Sequence, residues 1–171
     1  MISRRRLAQG VAWTVPVVAI AAAAPAYAAS GPVPSFAYVG ACKFSGQSCS
    51  RAAFGYAFAF DVSNNDPART VYICNVQMIN KVGTNLNFTW SAPASGCLTL
   101  APGSSGTAYL YFGSSNSGNQ TFTFQLQMRW GHTCPCTSDP DPHPQIVTPV
   151  LSVASTPPGG ICLCGADFVP A

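Results

Sequence analysis

The chain has 171 residues, a formal net charge of +3 and only 8 % charged side chains. The excess charge sits in Arg4, Arg5 and Arg6; from Ala29 onward Lys43, Arg51, Arg69, Lys81 and Arg129 are matched by Asp61, Asp66, Asp139, Asp141 and Asp167, with no Glu. That balance excludes the electrostatic footprint of a nucleic-acid binder, and a hydrophobic content of 48 % excludes wholesale disorder.

Residues 1–28 read as an export signal. Ser3-Arg4-Arg5-Arg6-Leu7 is a basic start, Val11 to Ala24 is an apolar stretch, and Ala26-Tyr27-Ala28 is a small-x-small cleavage site. The apolar stretch carries Pro16 and falls short of the about 20 residues a membrane span needs, so contact with the membrane is expected to be transient. Ser3-Arg4-Arg5-x-Leu7 resembles the twin-arginine export motif, with Leu7 where that motif usually has Phe and Gln9 where it often has Lys. With its Ala-rich apolar region the segment is similar to the signals of exported actinobacterial proteins. An ordinary secretory signal accounts for the same features. By either route the expected location is extracellular or at the cell surface.

The mature chain divides into a β domain over 29–133 and a Pro/Cys-rich segment over 134–171. It is long enough to bury about two-thirds of its unfolded surface around one core. Phe36 to Ala41 is a first strand candidate. Phe54, Tyr56, Phe58, Phe60 and Val62 then alternate with small or polar residues, which places five large side chains on one face. Asn64-Asn65-Asp66-Pro67 is turn chemistry. Val71 to Ile79 is β-branched and strand-like. Lys81-Val82-Gly83-Thr84 breaks the chain before the alternating Leu86, Phe88 and Trp90. Cys97 to Leu100 is a short candidate, followed by the turn Pro102-Gly103-Ser104 and a strand over Thr107 to Phe112. Gly113 to Gln120 is loop. The cleanest strand follows: Phe122, Phe124, Leu126, Met128 and Trp130 alternate with Thr and Gln residues and Arg129. Ile146 to Val153 is a last candidate, and Pro149 pushes it to a sheet edge because it cannot donate to a ladder.

No mature segment carries an apolar period of 3.6 over ten residues. The fold class is therefore all-β, an antiparallel β-sandwich rich in disulfides. Tyr72-Ile73-Cys74 resembles the tyrosine-corner signature of immunoglobulin domains, which implies an immunoglobulin-like topology. The buried Trp of such domains has no counterpart between Cys49 and Cys74.

All eight cysteines follow the signal, and an even count in an exported chain is a disulfide framework. Neighbours in Cys-x-Cys rarely bond to each other, and in extended chain they point the same way. Cys134-Pro135-Cys136 and Cys162-Leu163-Cys164 are thus expected to meet as a double rung, Cys134–Cys164 with Cys136–Cys162. Cys42–Cys49 is then a local closure and Cys74–Cys97 a bridge around the Trp90 hairpin. The alternative is a metal or redox module in which His132, Cys134, Cys136, Cys162 and Cys164, with His143 nearby, supply soft ligands. Catalytic dithiols are usually Cys-x-x-Cys beside a helix, a pattern this chain lacks.

Active-site chemistry is hard to assemble from five Asp, no Glu and two His. The carboxylates fall in turns and in the proline run 139–144, and no nucleophile elbow or phosphate-cradling loop is present. A small hydrolase whose triad assembles only in space is a further alternative. Expected instead is a non-catalytic binding or structural surface protein without a cofactor. Its partner would be a cell-wall glycan or an extracellular protein, met through Ser/Gly/Asn-rich loops beside Tyr109, Tyr111 and Trp130. Trp90 and Trp130 also lie on the apolar faces of their strands, where the core claims them.

Overall fold

The computed structural model describes residues 32–44, 46–47, 49–116, 118–141 and 143–155, and the backbone of 161–162. The export segment and the side chains of Cys162 and Cys164 lie outside the described residues. In chain order the strands are β1 (Ser35–Phe44), β2 (Tyr56–Ser63), β3 (Val71–Val82), β4 (Phe88–Trp90), β5 (Leu98–Leu100), β6 (Ser105–Ser114), β7 (Phe122–Gly131), β8 (Ile146–Val147), β9 (Leu151–Val153) and β10 (Ile161–Cys162). One sheet runs β10-β1-β2-β6-β4 and the other β5-β3-β7-β8, with β9 also on β7. All pairings are antiparallel except β1 with β10. The two sheets pack as a sandwich. Among the described residues no helix is long and apolar enough to cross a membrane.

Strand alternation builds the core. Every second residue of β7, from Phe122 to Trp130, is buried, while Thr123, Gln125, Gln127 and Arg129 face outward. Tyr56, Phe58, Phe60 and Val62 of β2 face them from the other sheet, joined by Leu110 and Phe112. Rings meet across the gap: Phe58 lies 5.0 Å from Phe124 and Tyr56 lies 5.7 Å from Phe122. Burying such side chains supplies about 1.5–3 kcal/mol each and is the main term holding the sheets together. β3 is bent at two register shifts, between Cys74 and Gln77 and between Ile79 and Val82. Asn75 (φ 49°) and Asn80 (φ 50°) take the left-handed conformation there, which Asn tolerates better than most residues.

Two strand expectations need correction. Phe54 does not share the β2 face; at φ 56° it lies in a loop that folds back on β1 and β6. Phe54 N–H donates to Gly46 O at 2.7 Å, Phe44 N–H to Gly55 O at 2.9 Å, and Ser114 N–H to Ala53 O at 3.1 Å. This loop covers a second small cluster of Cys42, Phe44, Cys49, Ala52 and Ala57 under Tyr111. The strand expected over Ile146 to Val153 is split into β8 and β9, because Pro149 removes a donor and Val150 is squeezed out to solvent. Thr148 bridges the break: its N–H donates to Leu126 O, its Oγ1 accepts from Leu126 N–H, and its carbonyl accepts from Gln125 Nε2. Ahead of the proline run 139–144, Cys136–Ser138 form one turn of 3-10 helix.

The disulfides also differ from expectation. Cys74 bonds Cys136 and Cys97 bonds Cys134, with Cα separations of 6.0 and 6.2 Å. The expected Cys74–Cys97, Cys134–Cys164 and Cys136–Cys162 bonds are therefore not formed. Pairing of Ile73 with Leu98 on β3 and β5 does set Cys74 beside Cys97, their sulfurs 3.0 Å apart. The 134–136 turn, returning from the end of β7, lies over both and takes one bond to each. The double rung exists, but its far side is a pair of adjacent strands rather than a second Cys-x-Cys. Cys42 and Cys49 are disulfide-bonded too, so no described cysteine is free. Such bonds fit an oxidising environment.

Candidate functional site

Tyr109 and Tyr111 stand directly opposite Ala59 and Ala57 on the outer face of the first sheet. Beside them the chain leaves β4 at Trp90 and runs along the sheet edge as Ser91-Ala92-Pro93-Ala94. Two hydrogen bonds fix this run: Ser91 N–H donates to Tyr111 O at 2.8 Å, and Ser91 Oγ donates to the carbonyl of Arg51. The result is a groove of about 450 Å³ lined by Trp90, Tyr109, Tyr111, Arg51, Leu98 and Leu110, among others. The Arg51 guanidinium sits 5.3 Å over the Tyr111 ring, whose centroid is 6.1 Å from that of Phe44. Both contacts hold Tyr111 in place. Trp90 rests one side on the core and is otherwise half-exposed.

Two of the three aromatics expected to contact a ligand, Tyr109 and Tyr111, thus share a groove. Trp130 does not join them. It lies on the other sheet, 2 % exposed, because strand alternation sends it inward with Leu126 and Met128. Arg51, Ser91 and Leu98 were invisible as site residues, since only the folding of the 49–55 loop and β5 against the sheet edge brings them together. Trp90, expected in the core, packs against it on one side only.

The expected metal set also changes. Cys134 and Cys136 are spent in disulfides and offer no thiolate, so they cannot act with His132 as soft ligands. His132 instead faces His143, with ring centroids 5.0 Å apart, and His143 stacks on Trp130 at 3.9 Å. Asp139 lies between them in the chain and in space. Its Oδ2 accepts the His132 N–H, and its Oδ1 accepts the Asp141 N–H at 3.0 Å. Burial pushes the Asp139 carboxyl up, but these N–H donors and the two histidines outweigh it and hold the group below the usual carboxylate value. Burial lowers His143 below the ordinary histidine value, which keeps its imidazole neutral at neutral pH.

No protein-family model, curated protein or solved structure matches this chain.

Proposed function

We propose that the chain is an exported, non-catalytic binding module whose aromatic groove recognises a glycan of the cell wall or of another extracellular polysaccharide. The observation that carries this reading is the convergence of Trp90, Tyr109 and Tyr111 on one open groove of about 450 Å³. Flat aromatic faces stack on the apolar faces of sugar rings, while Ser50, Ser91 and Arg51 offer hydrogen bonds at the rim. Low charge and a covalently braced sandwich suit a rigid recognition surface outside the cell. The export signal in 1–28 and the immunoglobulin-like character suggested by Tyr72-Ile73-Cys74 belong to the same proposal.

The test is titration of the oxidised protein with soluble cell-wall polysaccharide fragments, followed by tryptophan fluorescence and calorimetry. Trp90→Ala and Tyr109→Ala are each expected to weaken binding by about tenfold or more, the loss of one stacked ring. Val39→Ala, an exposed residue of β1 outside the groove lining, should bind as the parent does. Binding unchanged in both aromatic variants, or no binding to any polysaccharide, would remove the glycan reading.

A further inference from the structure

We propose that the aromatic groove takes an acidic glycan, one whose sugars carry carboxylates as uronic acids do, and that Arg51 selects it. The proposal rests on the reading of the groove as a polysaccharide site and names the class of sugar. Any such preference has to arise locally. From Ala29 onward the Lys and Arg side chains equal the aspartates in number, so the chain has no net field with which to draw in an acidic polymer.

Most cations near the first sheet are already engaged. Lys43 donates to Gly118 O at 2.9 Å and to Asn119 Oδ1 at 2.6 Å, and Lys81 donates to Leu86 O at 2.7 Å. Arg69 is paired with Asp66 at 2.8 Å. Arg51 differs. Among the described residues its guanidinium has neither a hydrogen-bond acceptor nor a carboxylate partner. It is held against the Tyr111 ring, 5.3 Å from the centroid. That contact uses the positive charge but leaves the N–H groups without a protein acceptor.

The rest of the groove is neutral. Trp90, Tyr109, Tyr111, Ser50 and Ser91 surround Arg51 with rings and hydroxyls, and none of the described lining residues is acidic. A guanidinium in such surroundings favours a planar anion over a hydroxyl, because a carboxylate accepts two parallel N–H bonds and keeps its charge beside the cation. The carboxyl of a uronic acid projects from the edge of its ring. A sugar stacked flat on Trp90 or Tyr109 therefore extends that group sideways toward the rim and stays stacked.

Asp61 limits how such a chain lies. It is on the same outer face, two residues along β2 from the Ala59 that pairs with Tyr109, and its Oδ1 accepts from Thr107 Oγ1 at 2.9 Å. An acidic chain is repelled from that end and runs instead along Ser91-Ala92-Pro93-Ala94, past Arg51.

The experiment titrates the oxidised full chain with an oligogalacturonate and with the same oligomer as its methyl ester, which keeps the rings and removes the charge. The acid is expected to bind about fivefold more tightly at low salt, with the preference shrinking as salt is added. Arg51→Gln should erase the preference, read as the ratio of the two affinities. Arg129→Gln, an outward-facing cation of the other sheet, should keep it. Equal affinity for acid and ester in the parent would overturn the proposal, and if Trp90→Ala still weakens both, the polysaccharide reading stands. A preference that survives Arg51→Gln, or tighter binding of a polyol-phosphate polymer than of the uronate, would also overturn it. Binding of no polysaccharide at all would remove both readings together.

Discussion

Gly55 and the carbonyl of Phe112 are in such close contact that a β-carbon on residue 55 would stand 1.7 Å from the oxygen. The obstacle is backbone in the middle of a sheet, so it cannot swing aside as a side chain can. Gly55→Ala is therefore expected to cost at least about 3 kcal/mol in chemical denaturation. Gly106→Ala, where an added β-carbon meets nothing, should change little. Equal stability of the two variants would contradict the close approach. Because the 49–55 loop carries Arg51 to the groove, Gly55→Ala should also weaken polysaccharide binding.

Cys74 is bonded to Cys136 and Cys97 to Cys134. Non-reducing digestion and mass spectrometry should recover those two linkages, and a Cys74–Cys97 peptide would refute them. Replacing Cys97 and Cys134 together by Ser should lower stability by about 2–4 kcal/mol, since the freed chain gains the entropy the cross-link withheld.

Phe58 and Phe124 join the two sheets at 5.0 Å between centroids. Truncation of either to Ala is expected to cost about 3–5 kcal/mol. A double-mutant cycle should find coupling of about 0.5–1.5 kcal/mol between them, and none between Phe124 and the distant Asp66. Urea titrations of the four proteins in each cycle supply the numbers.

Asp66 gives the acid limb of stability a defined origin. Its carboxylate accepts the Ala68 N–H at 2.9 Å, the Arg69 side chain at 2.8 Å and the Arg69 N–H at 3.1 Å, and these hold it below the ordinary value of 3.8. The folded state thus takes up this proton less readily than the unfolded chain. The stabilisation is fully present above the ordinary value and is lost as pH falls through the lower, folded one. Melting curves of the parent and Asp66→Asn should differ by a constant amount near neutrality and converge below about pH 3.8. A gap independent of pH would mean the charge contributes nothing.

The sheets were legible because burial on one face leaves a period of two, as in Phe122 to Trp130. Where a residue in the run answers to a loop, the pattern misleads: Phe54 continues the alternation of β2 but sits at positive φ to let the chain fold back. Disulfide partners were the least legible feature. The double-rung idea rested on two Cys-x-Cys segments facing each other, whereas Cys74 and Cys97 become such a pair only when β3 meets β5, a contact between distant parts of the chain. The groove was half visible through Tyr109 and Tyr111, while Arg51 and Ser91 enter by tertiary folding. His132, Asp139 and His143 all stood in the sequence, but their nearness depends on the tight packing of Asp139 against Gly131, which no local pattern announces.

The Cys97–Cys134 bond lies wholly inside the loop that Cys74–Cys136 closes. A protease that cuts after the exposed Ser115 or Asn116 breaks one peptide bond yet releases no fragment, for both sulfur bridges span the nick. Damage in this loop between β6 of one sheet and β7 of the other leaves the two halves fastened together, so a nicked molecule keeps both sheets and the groove.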